Sequence, residues 1–254
     1  MPWHARLRLH YTASPAAATA APARTVARFR HDGPLRILQS LYPEGDAVCH
    51  NVMVHPPSGL VGGDVLDIDV QVDAGAHGLV TTPGATRFYR SEGDGALQNT
   101  RLQVAAGGRL EWLPLEAICY DQCRAENRLH IDLAPGAEMM GWDMTALGLP
   151  GARKPFLSGH FQQHIELPGV WLERGRIDAQ DALLMDGALG LAGQRCCASL
   201  FFLAGSPIER ERRQALLEAA QTLAQAHGLL RQVWARWRTL AWRLPATAPR
   251  IWAT

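Results

Sequence analysis

The sequence predicts a mainly-β chain, an elongated stacked-sheet or β-helix-like scaffold with a small C-terminal helical element. Three observations carry this. Apolar and polar residues alternate in short runs along much of the chain, most regularly where Val65, Leu66, Ile68, Val70 and Val72 are interleaved with Asp67, Asp69, Gln71 and Asp73. The runs LDIDVQVDAGAHGLV, RLQVAAGGRLEWL, LHIDLAPGAEMMGW and HIELPGVWLERGRI each turn at a glycine; Gly75, Gly107, Gly136 and Gly169 are spaced by 32, 29 and 33 residues. That near-constant period reads as stacked β coils or hairpins, with an ordinary sandwich as the alternative arrangement. Finally, Ser206-Pro207-Ile208-Glu209 has the form of a capping box with proline at the first helical position, so a helix is expected to begin there.

Taken in order, residues 3–11 alternate weakly and read as an edge strand, and residues 12–24 form an Ala/Pro-rich segment with the composition of a flexible linker. Residues 28–42 read as strand, tight turn at Asp32-Gly33-Pro34, and strand, with another turn at 43–46 before a strand at 48–54. Pro56-Pro57 cannot continue a ladder, and Gly59, Gly62 and Gly63 permit positive φ, so HPPSGLVGG is a shaped loop closed by Asp64. A strand at 65–72 with an acidic outer face follows, then a turn at 73–75, a strand at 77–82, and residues 85–91 beyond Pro83-Gly84. RCCASLFFL at 195–203 supplies a last strong strand. In the helix, Leu216, Leu217, Ala220, Leu223 and Ala224 share one face, and Gly228 is the expected stop. From Leu229, the stripe Leu230, Val233, Trp234, Trp237, Leu240 and Ala241 again has helical spacing, between Arg231, Arg236, Arg238 and Arg243. A Trp core face with a solvated Arg face explains it better than single-stranded nucleic acid.

A chain of 254 residues can bury a substantial core, and residues 1–254 are read as a single domain. With 25 basic and 24 acidic residues and a net charge of +1 there is no electrostatic case for nucleic acid or an anionic membrane. Five cysteines, Cys49, Cys119, Cys123, Cys196 and Cys197, lack a disulfide-scaffold spacing and suit a reducing compartment. TASPAAATAAPA lacks the apolar core of a leader, and no run reaches the length of a membrane span, so the expectation is cytoplasmic.

The usual hydrolase, metalloprotease, nucleotide and dinucleotide motifs are absent. Ser58 to Gly63 resembles a phosphate cradle only superficially, because it leads into a strand and no helix dipole reinforces it. Cys49, His50, His55, Cys119, Cys123, Asp64, Asp121, Asp143 and Glu173 are possible metal donors, but none forms the paired clusters of structural zinc. Adjacent Cys196 and Cys197 point to opposite faces of a strand and read as ordinary thiols. A weak, incompletely coordinated site of carboxylate, thiol and imidazole would suit nickel. Asp67, Asp69 and Asp73 are solvated on a strand's polar face. Asp64, between a glycine pair and a strand, and Asp143 and Glu173, each following an apolar stretch with a tryptophan, need partners for their charge.

HPPSGLVGGD followed by a strand, TTPGATRFYRS at 81–91, EWLPLEAI at 111–118, GWDMTALG at 141–148 and PRIW at 249–252 occur in that order. In this combination the chain resembles the urease accessory proteins UreD, also called UreH. The resemblance covers nearly the whole sequence. It implies a mostly-β fold with a small helical part and no enzymatic activity of its own. It implies a chaperone that binds urease apoprotein and, with UreF and UreG, delivers nickel to the urease active site, GTP hydrolysis belonging to UreG. It implies transient nickel rather than a tightly bound cofactor, and an internal route on which Asp64, Thr86, Asp143 and Glu173 would lie, with Ser58, Gly62 and Gly63 shaping the adjoining loop. Two departures stand out: Ser58 replaces a glycine common in the family, and residues 227–245 look short beside the family's usual run before PRIW, where a further strand and helix are expected. The competing readings are a metal-dependent hydrolase built on Asp64, His55 and Asp143, and an assembly scaffold without metal contact.

Overall fold

The computed structural model describes residues 2–14, 23–226, 232–236 and 239–245, the last two and Ala224 through the backbone alone. Its first strands are β1 (His4–Ala13), β2 (Thr25–Asp32), β3 (Arg36–Leu41), β4 (Val48–Val54), β5 (Val65–Val72), β6 (His77–Thr81), β7 (Thr86–Phe88), β8 (Ala96–Val104) and β9 (Arg109–Leu113). They are followed by β10 (Ala117–Cys119), β11 (Arg124–Leu133), β12 (Glu138–Leu147), β13 (His160–Leu167), β14 (Trp171–Asp178), β15 (Cys196–Ala204), β16 (Gln232–Arg236) and β17 (Thr239–Pro245). Helix α1 (Ala182–Asp186) precedes β15 and α2 (Arg210–Ala226) follows it.

The strands form two facing sheets, a first in the order β14-β13-β11-β8-β5-β1-β2 and a second running β16-β17-β15-β12-β9-β6-β4-β3. The middle of the chain passes repeatedly from one sheet to the other, as β5 to β6, β8 to β9 and β11 to β12, so each coil adds one parallel strand to both. The glycine period is the pitch of this stack: Val65 pairs with Leu97 and His77 with Arg109, 32 residues apart, while Ala96 pairs with Ala125 and Arg109 with Glu138, 29 apart. Gly75, Gly107 and Gly136 all have positive φ, near 73°, 71° and 79°, as a tight corner at each coil requires. Gly169 does something different. β14 returns antiparallel against β13, so that glycine turns a hairpin and the coiling ends there.

Ala5, Leu7, Leu9, Tyr11, Ile68, Val70, Leu102, Ile131 and Ile165 face inward from the first sheet, and Cys49, Leu110, Trp112, Met139, Phe201 and Leu203 are buried in the second. The largest cost of folding, chain entropy, is offset chiefly by this apolar layer.

Several expectations are corrected. β1 is an interior strand between β5 and β2; the rim is β2. Thr12 and Ala13 belong to β1, leaving residues 15–22 of the Ala/Pro segment outside the described residues. The turn at Gly33 does not join paired strands but carries the chain from the first sheet to the second. Ser206 does not cap a helix: its Oγ accepts from Gly136 N at 2.9 Å, and α2 starts only at Arg210, with Arg213 N donating to Glu209 O. No described residue of α2 is fully buried and Leu223 is 59% exposed; the helix is tied down by Arg212, which binds Glu138 and lies over the Phe202 ring. The second helical stripe is in fact the hairpin of β16 and β17, because the free edge of β15 offers a full ladder of backbone partners. Leu240, Trp242 and Leu244 alternate at the period of a strand, a signal that the helical stripe through Leu240 and Ala241 left out. Gly228, Trp237 and PRIW lie outside the described residues. No described helix is long and apolar enough to cross a membrane.

Candidate functional site: a polar passage between the sheets

The apolar layer is interrupted by polar positions that the register brings together. On the inner face of the first sheet, the row containing Leu66 continues through Gln98, Asn127 and Gln163 on successive parallel strands. The next row runs Ile68, Thr100, Leu129, Ile165 and Glu173. The second sheet answers with a row of Thr86, Ala117, Thr145 and Cys197, and with Asp143 beside Ser199. Because side chains alternate along a strand, these groups must enter the space between the sheets.

Asp143 joins the two layers. Its Oδ2 accepts from Asn127 Nδ2 at 2.9 Å and its Oδ1 from Gln163 Nε2 at 2.8 Å, while Gln98 Nε2 donates to Asn127 Oδ1 at 3.3 Å. Two amides on neighbouring strands thus grip one carboxylate on the opposite sheet. Burial and the nearby charge of Glu173 push Asp143 up to about 6, against the two amide hydrogen bonds that pull it down.

Three cavities are linked through shared walls. The first, about 270 Å³, is lined by His55, Ser58, Thr82, Thr86 and Gln98 among others. Thr86 and Gln98 also line a narrow neck of about 20 Å³ with Thr100, Asn127 and Asp143. Asp143 then lines the third, about 190 Å³, with Gln163, Glu173, Arg174, Cys197 and Ser199. The neck has roughly the volume that holds one water-sized species. His55 Nε2 and Thr100 Oγ1, which face these cavities, and Thr145 Oγ1 are buried with no protein partner. Burial lowers the His55 imidazole pKa, opposed by the Asp64 charge, so the ring is held toward its neutral, metal-competent form.

Thr86, Asp143 and Glu173, three of the residues placed on a route by resemblance, line this chain of cavities. Asp64 lines none of the three. It is 1% exposed, and its carboxylate accepts from Trp3 N at 3.1 Å and Val61 N at 2.9 Å, fastening the N-terminal strand to the glycine loop. Ser58 adopts φ 67°, the left-handed conformation that favours glycine. A Cβ on Gly62 would strike Ser91 Oγ, and one on Gly63, at φ 85°, would come within 2.8 Å of Pro2 Cβ. Among the described residues no three His, Cys, Asp or Glu side chains come together as a metal-binding group, so Asp64, Asp143 and Glu173 are not one ligand set. Neither do Asp64, His55 and Asp143 form a hydrolytic metal centre. Cys119 and Cys123 are fully buried, and burial with their mutual contact pushes the Cys119 thiol up. The amides Gln98, Asn127 and Gln163 and the hydroxyls Thr100, Thr145 and Ser199 escaped the sequence reading. Their only signal there is a polar residue at an inward position of an alternating strand.

The family profile described as UreD urease accessory protein matches residues 4–229. A urease accessory protein UreD of Variovorax paradoxus is 59% identical over 283 aligned positions, covering all of both chains. Homologues carrying the same name from Polaromonas naphthalenivorans and Paracidovorax citrulli are 58% and 57% identical over 282 positions, again end to end. These alignments exceed the 254 residues of this chain, so the relatives contain stretches with no counterpart here.

Proposed function

We propose, from the premise that this chain belongs to the UreD family of urease accessory proteins, that it is a non-catalytic maturation chaperone. It binds urease apoprotein and, together with UreF and UreG, conducts nickel to the urease active site along the polar passage. The single observation that supports the passage is the sharing of Thr86, Gln98 and Asp143 by successive cavities, which sets the three side by side in one line.

The chemistry of the lining suits a cargo that must move on. A borderline divalent cation is met first by hydroxyl and imidazole groups, then by a carboxylate already engaged by two amides, then by a second carboxylate beside Arg174. Each stop offers few donors, so the ion is exchanged and not trapped. Nickel is cargo here, and no resident cofactor is invoked. The five free cysteines, without a disulfide scaffold, support a reducing, cytoplasmic setting.

The test is urease activity and bound nickel in cells carrying the urease subunits, the other accessory proteins and nickel, with and without this chain. Active, nickel-loaded urease only in its presence is the expected result. Equal maturation without it would remove the chaperone reading.

A further inference from the structure

A second polar feature lies on the opposite, outward face of the first sheet. The register aligns Arg30, Arg8, Asp69 and Arg101 across β2, β1, β5 and β8, with Arg28, His10, Gln71 and Gln103 in the neighbouring row. These side chains line a concavity of about 460 Å³, with Phe29 in its wall.

The arginines are gathered in one hollow without carboxylate partners. Among the described residues, none of Arg8, Arg28, Arg30 and Arg101 has a carboxylate within ion-pair distance, although Asp69 lines the same concavity. By contrast, His10 in the same hollow reaches Asp73 at 2.9 Å, and away from it Arg109 and Arg212 both meet Glu138. Arg8 and Arg30 moreover face each other directly across an antiparallel pair, a like-charge contact that costs stability. Four free guanidinium forks around one hollow are a receptor for anions, and their planar geometry matches carboxylates in bidentate fashion.

The extent of the hollow selects among anionic partners. Beyond Arg101 the rows continue into His130 and Glu166, and beyond Gln103 into Asp132, so acidic groups bound the basic field on that side. Four adjacent strands span roughly 15 Å, the length of four or five extended residues. A nucleic-acid backbone needs a longer basic track than this, and the chain's net charge of +1 supplies none. We propose that the concavity of Arg8, Arg28, Arg30 and Arg101 is a docking site for a short acidic segment of a partner protein, on the face of the sheet turned away from the passage. This assignment is independent of nickel conduction.

The experiment titrates the full chain with a fluorescein-labelled peptide of ten glutamates at low ionic strength, following anisotropy. Saturable binding is expected, weakened about tenfold or more in Arg8→Gln and again in Arg101→Gln. Lys154→Gln with Arg210→Gln, which removes two exposed charges elsewhere, should leave affinity unchanged. Because these side chains are on the surface, folding is verified by a thermal transition that is not lowered, and Arg8→Gln, which relieves the contact with Arg30, should if anything raise it. Undiminished binding in Arg8→Gln and Arg101→Gln, or equal losses from the control pair, would overturn the proposal. Displacement of the peptide by an equimolar ten-nucleotide thymidine oligomer would also overturn it, reassigning the hollow to nucleic acid.

Discussion

Asn127 of the first sheet donates its Nδ2 to Asp143 Oδ2 of the second at 2.9 Å, so beside the smallest of the three cavities the two layers are joined by a polar contact as well as by apolar packing. The partner amide of Gln163 completes the grip. Buried carboxylates are retained only where such donors exist, and here the donors also leave the carboxylate facing a cavity.

The titration of Asp143 follows from that setting. Its folded pKa, raised from 3.8 to about 6, means that the native state holds a proton the unfolded chain releases more readily. Its contribution to stability is therefore favourable at pH below 4 and lost as pH rises through 6. Asp143→Asn should flatten that segment of the stability–pH curve by up to about 3 kcal/mol, measured by urea unfolding at a series of pH values.

Asp64 should act through the fold. Asp64→Ala removes the acceptor of two part-buried N–H groups, of Trp3 and Val61, and is expected to cost about 1–3 kcal/mol. Thermal unfolding checks this; a native melting temperature together with lost nickel delivery would instead put Asp64 on the route itself.

The glycine loop gives opposite signs at neighbouring sites. Ser58→Gly relieves a left-handed backbone and should stabilise by up to about 1 kcal/mol. Gly63→Ala, at positive φ and against Pro2, should destabilise by about 2 kcal/mol or more. Chemical denaturation of both variants reads the difference.

Thr100 separates stability from function. Its Oγ1 is buried and unsatisfied, so the near-isosteric Thr100→Val should stabilise the chain by about 1 kcal/mol. If the hydroxyl serves the passing ion, the same variant should deliver nickel to urease more slowly, which a time course of urease activation measures.

Much of the scaffold was legible because a coiled fold writes its pitch into the chain: glycines 32 and 29 residues apart became parallel strands offset by the same numbers. The hairpin at Gly169 looked identical in sequence, since a turn glycine does not reveal which strand its successor pairs with. Helical spacing misled at 232–245 for a related reason: a short stripe of Leu and Trp satisfies both periods, and the unpaired edge of β15 decided between them. Asp143 and Glu173 stood out as charges in apolar surroundings, but Asn127 and Gln163 did not, because an uncharged amide in an alternating strand is indistinguishable from one facing solvent until the register is known. Asp64 stood out as a constrained charge, but its two backbone donors hold it in the fold and it lines none of the three cavities.

The central claim is that the passage itself carries the function, and Asp143→Leu tests it most directly by replacing the polar neck with an apolar side chain of similar size. The measurement is nickel per urease active site in cells carrying this variant, alongside the amount of the chain that co-purifies with urease. The account requires undiminished co-purification with nickel loading reduced at least about tenfold, the equivalent of 1.4 kcal/mol or more at the narrowest point. Full nickel loading with Leu at position 143 would contradict it, leaving a scaffold that assembles partners while nickel travels elsewhere.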